Sequence, residues 1–165
     1  QMPFSLVIMG VAGCGKTSVG EALQASLGLN FVDGDSLHPP ANIQKMSAGT
    51  PLQDEDRWPW LTLVGQQIGA SDAPIAIGCS ALKRSYRDRI RQAADKPIGF
   101  IHLAGERSVI ERRMQARQGH FMPTSLLDSQ FAALEPLQGD EFGITVDINQ
   151  HPEQIVDLVA RFQSS

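Results

Sequence analysis

Residues Gly10 to Thr17 read GVAGCGKT, a complete match to GxxxxGK(S/T), and they directly follow the apolar run Phe4, Leu6, Val7, Ile8 and Met9. A strand that ends in a glycine-rich turn and passes into a helix at Lys16 aims several backbone N–H groups and a helix N-terminus at one point, where a polyphosphate can sit. Gly10, Gly13 and Gly15 allow positive φ and close approach of the backbone to phosphate oxygens, with Cys14 held between them. Lys16 brings a compact charge to the β and γ phosphates, the Thr17 hydroxyl suits Mg²⁺, and Ser18 adds a hydroxyl near the α phosphate. The pattern points to binding of ATP or GTP. Val19, Ala22, Leu23 and Leu27 form one stripe of the following helix, and Gly28 supplies its stop.

With 165 residues the chain reads as one domain, large enough to bury roughly 70% of its unfolded surface. No apolar stretch approaches the ~20 residues of a membrane span, and the first residues show no charged leader, so a cytoplasmic protein without a membrane partner is expected. The two cysteines, Cys14 and Cys79, suggest neither a disulfide framework nor a CxxC site. A net charge of −4 argues against nucleic acid as partner. The charge is uneven: Lys83 to Arg117 holds 10 basic and 4 acidic residues, a net of +6 that leaves −10 for the remainder. Arg89, Arg91, Lys96 and Arg107 read as solvated helix faces.

Short apolar runs at Phe4 to Met9, Phe31 to Asp33, Ile75 to Cys79, Gly99 to Leu103 and Thr145 to Ile148 alternate with helical patterns. This is the signature of βαβ units around a parallel sheet covered on both faces. The last helix has Pro152 near its start and Ile155, Leu158, Val159 and Phe162 on one stripe. His38 to Gly49 and Gln118 to Gly139 read as peripheral inserts that can move.

Ligands of open parallel sheets bind beyond the carboxyl ends of the strands, so Asp33 and Asp35, closing the second strand, should face the crevice of the phosphate loop. One carboxylate can hold Mg²⁺ while the other takes a proton from an attacking hydroxyl; Asp33 is assigned to the metal and Asp35 to the base. An Asx turn that merely ends the strand is the competing reading. His38 and Asn42 lie in a segment of neutral hydrogen-bonding groups that suits a polyol, although His38 also reads as a surface residue and Asn42 as the first turn of a short helix. Asp54 to Leu61 reads as a helix entry capped by Asp56, which keeps Pro59 in the first turn. Arg57 there can pair with the neighbouring acids or fork onto a substrate carboxylate. Lys83 and Arg87, four apart, present either two cations to an anionic substrate or an exposed basic face.

Val109, Arg113 and Arg117 share a helix face beside the apolar seam of Ile110 and Met114. Arg113 is assigned to stacking on adenine and Arg117 to the transferring phosphoryl group. Gly119 gives a hinge, and His120 can close over the substrate. His38, His102, His120 and Cys79 lack the local spacing of a zinc site.

GVAGCGKT, VDGDSLHPPANIQKMSAGTPLQDEDRWPWL, CSALKRSYRDRIR and ERRMQARQGHF together resemble the bacterial gluconate kinases of the P-loop type, over nearly the whole chain. The resemblance implies transfer of the ATP γ phosphate to D-gluconate with Mg²⁺, giving 6-phosphogluconate and ADP. It also implies a three-layer α/β fold like the nucleoside monophosphate kinases, with a five-stranded sheet ordered 2-3-1-4-5, and a homodimer. One domain over 1–165 would then carry a substrate-binding insert at about 36–58 and a lid at about 118–139. Asp35 matches the position that engages the reactive hydroxyl, and His38, Asn42, Arg57, Lys83, Arg87 and His120 match positions around the sugar acid. Pro40-Ala41 stands where members often carry basic residues, and Cys14 replaces a common serine. Shikimate kinase, a nucleoside monophosphate kinase and a non-enzymatic nucleotide switch are the alternatives, and the CSALK segment speaks against the first.

Overall fold

The computed structural model describes residues 4–116 and 124–164. Strand β1 (Ser5–Met9) is buried along its whole length, and its alternate side chains feed two separate cores. Leu6 and Ile8 pack with Val19 and Leu23 of α1 (Lys16–Leu27), Ile110 of α5 (Arg107–Ala116) and Ile155 and Val159 of α7 (Pro152–Ser164). Val7 and Met9 pack with Trp60, Leu61, Val64 and Ile68 of α3 (Asp54–Ala70) and with Tyr86 and Ile90 of α4 (Arg84–Ala94). A strand buried on both faces has no need of polar alternation, which is why it reads as a continuous apolar run.

The other strands are β2 (Asn30–Asp33), β3 (Ile75–Gly78), β4 (Ile98–Ala104) and β5 (Gly143–Asp147), and the order is β2-β3-β1-β4-β5 with every pair parallel. Gly78 stands opposite both Ile8 and Asp33. The turns that follow β1 and β2 therefore leave the sheet at one level and on one edge. Helix α1 stops at Gly28, φ 73°, whose N–H donates to the Gln24 carbonyl.

Two local expectations are corrected. Helix α3 begins at Asp54 rather than after Asp56: Asp56 is the third helical residue, and its carboxylate reaches back to the Gln53 N–H at 2.8 Å. Pro59 consequently falls in the second turn, on an exposed flank where water can serve the Glu55 carbonyl it leaves unpaired. In α7, Leu158 is exposed and Val156 is buried in its stead, because the seam against β1 and α1 runs through 155, 156, 159 and 163.

Helix α2 (Pro40–Ser47) overlies the start of α3. Of the stretch 118–139, Leu127 and Phe131 of α6 (Thr124–Ala133) join the first core. The strap that follows is tied down by Glu135 N–H to the Leu82 carbonyl at 2.7 Å.

Candidate active site

The phosphate loop is held from two sides. Gly10, Gly13 and Gly15 have φ of 148°, 81° and 101°, and a Cβ on Gly13 would stand 2.7 Å from Met114 Cγ. The loop thus lies directly on α5, where only glycine fits. From α6, Gln130 Oε1 accepts the Ala12 N–H at 2.6 Å. Lys16 Nζ donates to the Gly10 and Val11 carbonyls at 3.0 and 3.2 Å. Cys14 is buried under the loop, and that burial pushes its thiol up in spite of the neighbouring Lys16 charge. Thr17 and Ser18 are exposed on the first turn of α1, which carries no acidic residue to oppose an anion. Arg113 flanks the loop, its Nη1 3.8 Å from the position a Gly15 Cβ would take, and Nη2 donates to the Ile148 carbonyl at 2.6 Å.

Asp33 does form the Asx contact: Oδ1 accepts the Asp35 N–H at 3.0 Å and opens a 3-10 turn over Gly34–Leu37. Its other oxygen is left without a hydrogen bond among the described residues, as is the whole Asp35 carboxylate. Asp35 stays open to solvent on its cleft side, yet the protein crowding its other sides raises its pKa, Asp33 raises it further, and Lys16 and His38 partly offset this. The same Lys16 and Asp35 charges act on buried Cys79 at the end of β3. A Cβ on Gly78, the residue opposite Ile8 and Asp33, would stand 3.8 Å from Lys16 Cβ, and one on Gly34 would collide with the Gly78 carbonyl oxygen, so the acidic pair and the phosphate loop open onto one cleft.

The cleft continues through the 3-10 turn to His38, whose ring stacks on Trp60 at 4.1 Å and 17°. Trp60 Nε1 donates to the Gly34 carbonyl at 2.9 Å, fixing the turn that carries Asp35. Asn42 is buried, and its Nδ2 lies 3.1 Å from His38 Nδ1 and 2.9 Å from the Asp56 carbonyl oxygen. On the far rim Arg57 pairs with Asp54 at 3.1 Å, and Tyr86 donates its hydroxyl to the same carboxylate at 2.6 Å. Burial and this bond push the phenol up to about 12. Lys83, the N-cap of α4, extends over the Tyr86 ring at 5.7 Å.

Arg87 is the residue that spacing misplaced. It is fully buried, and its guanidinium donates to Glu141 at 2.7 and 2.9 Å, to the Ala81 and Leu82 carbonyls at 2.9 and 3.2 Å, and to the Pro136 carbonyl at 3.4 Å. All five N–H groups are thereby used, so it does not stand beside Lys83 facing the crevice. Its work is on the turn itself: Ala81 holds φ 43°, a conformation costing about 1–2 kcal/mol outside glycine, and Arg87 clamps that carbonyl. Burial alone would raise Glu141; hydrogen bonds from Arg87, Arg91 and the Gln138 N–H outweigh it and hold the carboxyl at about 2. Arg117 and His120 lie outside the described residues.

Gln130, Trp60, Tyr86 and Glu141 were not singled out as site residues from the sequence. Each acts through a partner 26 or more positions away. A shallow surface depression of about 670 Å³, lined by Trp58, Ser85, Asp88, Arg89, Arg91 and Gln92, shares no residue with the cleft.

A gluconokinase of Gluconobacter oxydans (strain 621H) is 47% identical over 167 residues, covering 98% of this chain and 93% of that protein. The chain belongs to the gluconokinase family. The thermosensitive gluconokinase of Escherichia coli (strain K12) is 47% identical over 149 residues, 88% of this chain and 79% of its own. The crystal structure of a gluconokinase from Sinorhizobium meliloti 1021 superposes with a TM-score of 0.90 at 47% identity, covering 99% of this chain and 93% of that one. No protein-family model matches the chain. Membership in the gluconokinase family accords with the sheet order and the phosphate loop, and it separates the chain from the shikimate and nucleoside monophosphate kinases considered as alternatives.

Proposed function

We propose that this chain is an ATP-dependent gluconate kinase, in which the C6 hydroxyl of D-gluconate attacks the γ phosphorus, the bond to the β,γ-bridging oxygen breaks, and ADP leaves. The observation that carries the reading is the shared cleft of Lys16 and Asp35, which meet across Gly78 where β1, β2 and β3 end, in a chain of this family. Asp35, free of hydrogen bonds among the described residues and raised in pKa, takes the hydroxyl proton. The loop N–H groups and Lys16 hold the β and γ phosphates, with Lys16 exchanging its loop carbonyls for phosphate oxygens.

Thr17 and Asp33 offer exposed hard oxygen donors, a set that fits Mg²⁺, an ion that uses few protein ligands beside phosphate oxygens. When bound there, Mg²⁺ offsets the charge of the β and γ phosphates. Arg113, beside Gly15 of the phosphate loop, is assigned to adenine, and Arg117, four residues on, is assigned to the phosphoryl group by its place in the sequence. His38, Arg57, Lys83 and His120 are assigned to the sugar acid. A lid around 118–139, a homodimer and a cytoplasmic setting complete the proposal, carried by the family resemblance. Among the described residues no helix is long and apolar enough to cross a membrane.

An ADP-release assay across gluconate, shikimate and AMP tests the reading. Gluconate-dependent turnover is expected; slow hydrolysis indifferent to any sugar acid would favour a nucleotide switch instead. Lys16→Ala should abolish turnover. Asp35→Asn should keep ATP binding and lose about 10²–10⁴ in kcat, and retained transfer in that variant removes the base assignment.

A further inference from the structure

Asp35 lies within the 3-10 turn that His38 caps at its C-terminal end, and both are polar groups able to exchange protons. What His38 can do there is decided by Asn42. One atom of the Asn42 amide lies 2.9 Å from the Asp56 backbone carbonyl oxygen, which only accepts hydrogen bonds, so that atom is the NH₂ nitrogen. The same nitrogen lies 3.1 Å from His38 Nδ1. Two N–H donors cannot face one another at that distance, so Nδ1 is the unprotonated, accepting nitrogen and the ring proton resides on Nε2. The rest of the pocket holds this arrangement. Asn42 and His38 are buried, Trp60 stacks on the imidazole, and among the described residues no group is hydrogen-bonded to Nε2. Burial lowers the pKa of His38, Arg57 lowers it as well, and Asp35 works in the opposite direction.

We propose that Asn42 is a positioning residue that locks His38 as the neutral Nε2–H tautomer, making His38 a hydrogen-bond donor to an oxygen of the polyhydroxy acid and leaving proton acceptance to Asp35 alone. The donor half of this proposal rests on the gluconate kinase reading; the tautomer half does not. It also reassigns Asn42, whose two amide hydrogens are both used within the protein, from substrate contact to support of His38.

Long-range ¹H–¹⁵N correlation spectra of ¹⁵N-histidine-labelled protein, with the His38 signals identified by their loss in His38→Gln, read the tautomer directly. The wild type should show a protonated Nε2 and an unprotonated Nδ1 at neutral and mildly alkaline pH. Signals of an Nδ1–H ring, or of two exchanging tautomers, overturn the lock. Asn42→Asp places an acceptor against Nδ1 and should turn His38 into an Nδ1-protonated ring at neutral pH. The KM for gluconate should then rise about tenfold, as for the loss of one good hydrogen bond, with the KM for ATP unchanged. An unchanged gluconate KM beside a switched tautomer overturns the donor role. Should wild-type protein show no gluconate-dependent turnover, the functional reading fails while the spectra still decide the tautomer.

Discussion

Gln130 stands 118 positions from Ala12 and holds one amide of the phosphate loop from the helix on its flank. Gln130→Ala leaves that N–H without an acceptor, a loss of about 1 kcal/mol. Nucleotide affinity measured by calorimetry should fall about fivefold, with the gluconate KM unmoved. Gln130→Glu keeps an acceptor but sets a negative charge beside the phosphates, and should bind nucleotide more weakly still. At this scale the local motif was legible: the glycines, Lys16 and Thr17 announce themselves because their spacing is the mechanism. Gln130 and Trp60 were not, since neither sits in a pattern and each acts only through a distant contact. Arg87 shows the opposite failure. Its spacing from Lys83 is that of a helix face, but Glu141 draws the guanidinium inward, and no local rule announces a carboxylate so far along the chain.

The α4 element owes its place to that inward turn. Tyr86 and Ile90 pack against α3 and the sheet, while Arg87 ties the preceding turn to the strap at 134–141. Glu141→Ala strands a buried guanidinium and should cost about 3–5 kcal/mol in urea unfolding. The pair Arg87→Met with Glu141→Leu should recover much of that stability, since apolar side chains of similar volume tolerate burial. It should not recover the gluconate KM, because the Ala81 carbonyl loses its clamp and Lys83 its bearing. Element type was readable from apolar periodicity throughout. Boundaries were less so: the start of α3 depends on Asp56 reaching back to Gln53, a choice that Pro59 alone did not reveal.

Across the whole molecule, parallel order is what brings the acidic pair and the phosphate loop together. Alternating strands and helices foretold a parallel sheet with two covered faces, but not which strands are neighbours; the 2-3-1-4-5 order came from family resemblance, because adjacency depends on crossovers that leave no periodic trace. The acid stability of the fold follows from its central ion pair. Glu141 is held at about 2, below its ordinary 4.5, so its stabilisation is full above the ordinary value and is lost as pH falls from there towards about 2. Urea midpoints should drop across that window, and the drop should flatten in Glu141→Gln.

The left-handed backbone of Ala81 is fastened at its carbonyl by a guanidinium from α4, which is itself held by a carboxylate 54 positions beyond it. Anyone transplanting the CSALK turn into another scaffold would therefore import a shape without its fastening, and the graft would relax toward an ordinary β-to-α connection with its lysine aimed elsewhere.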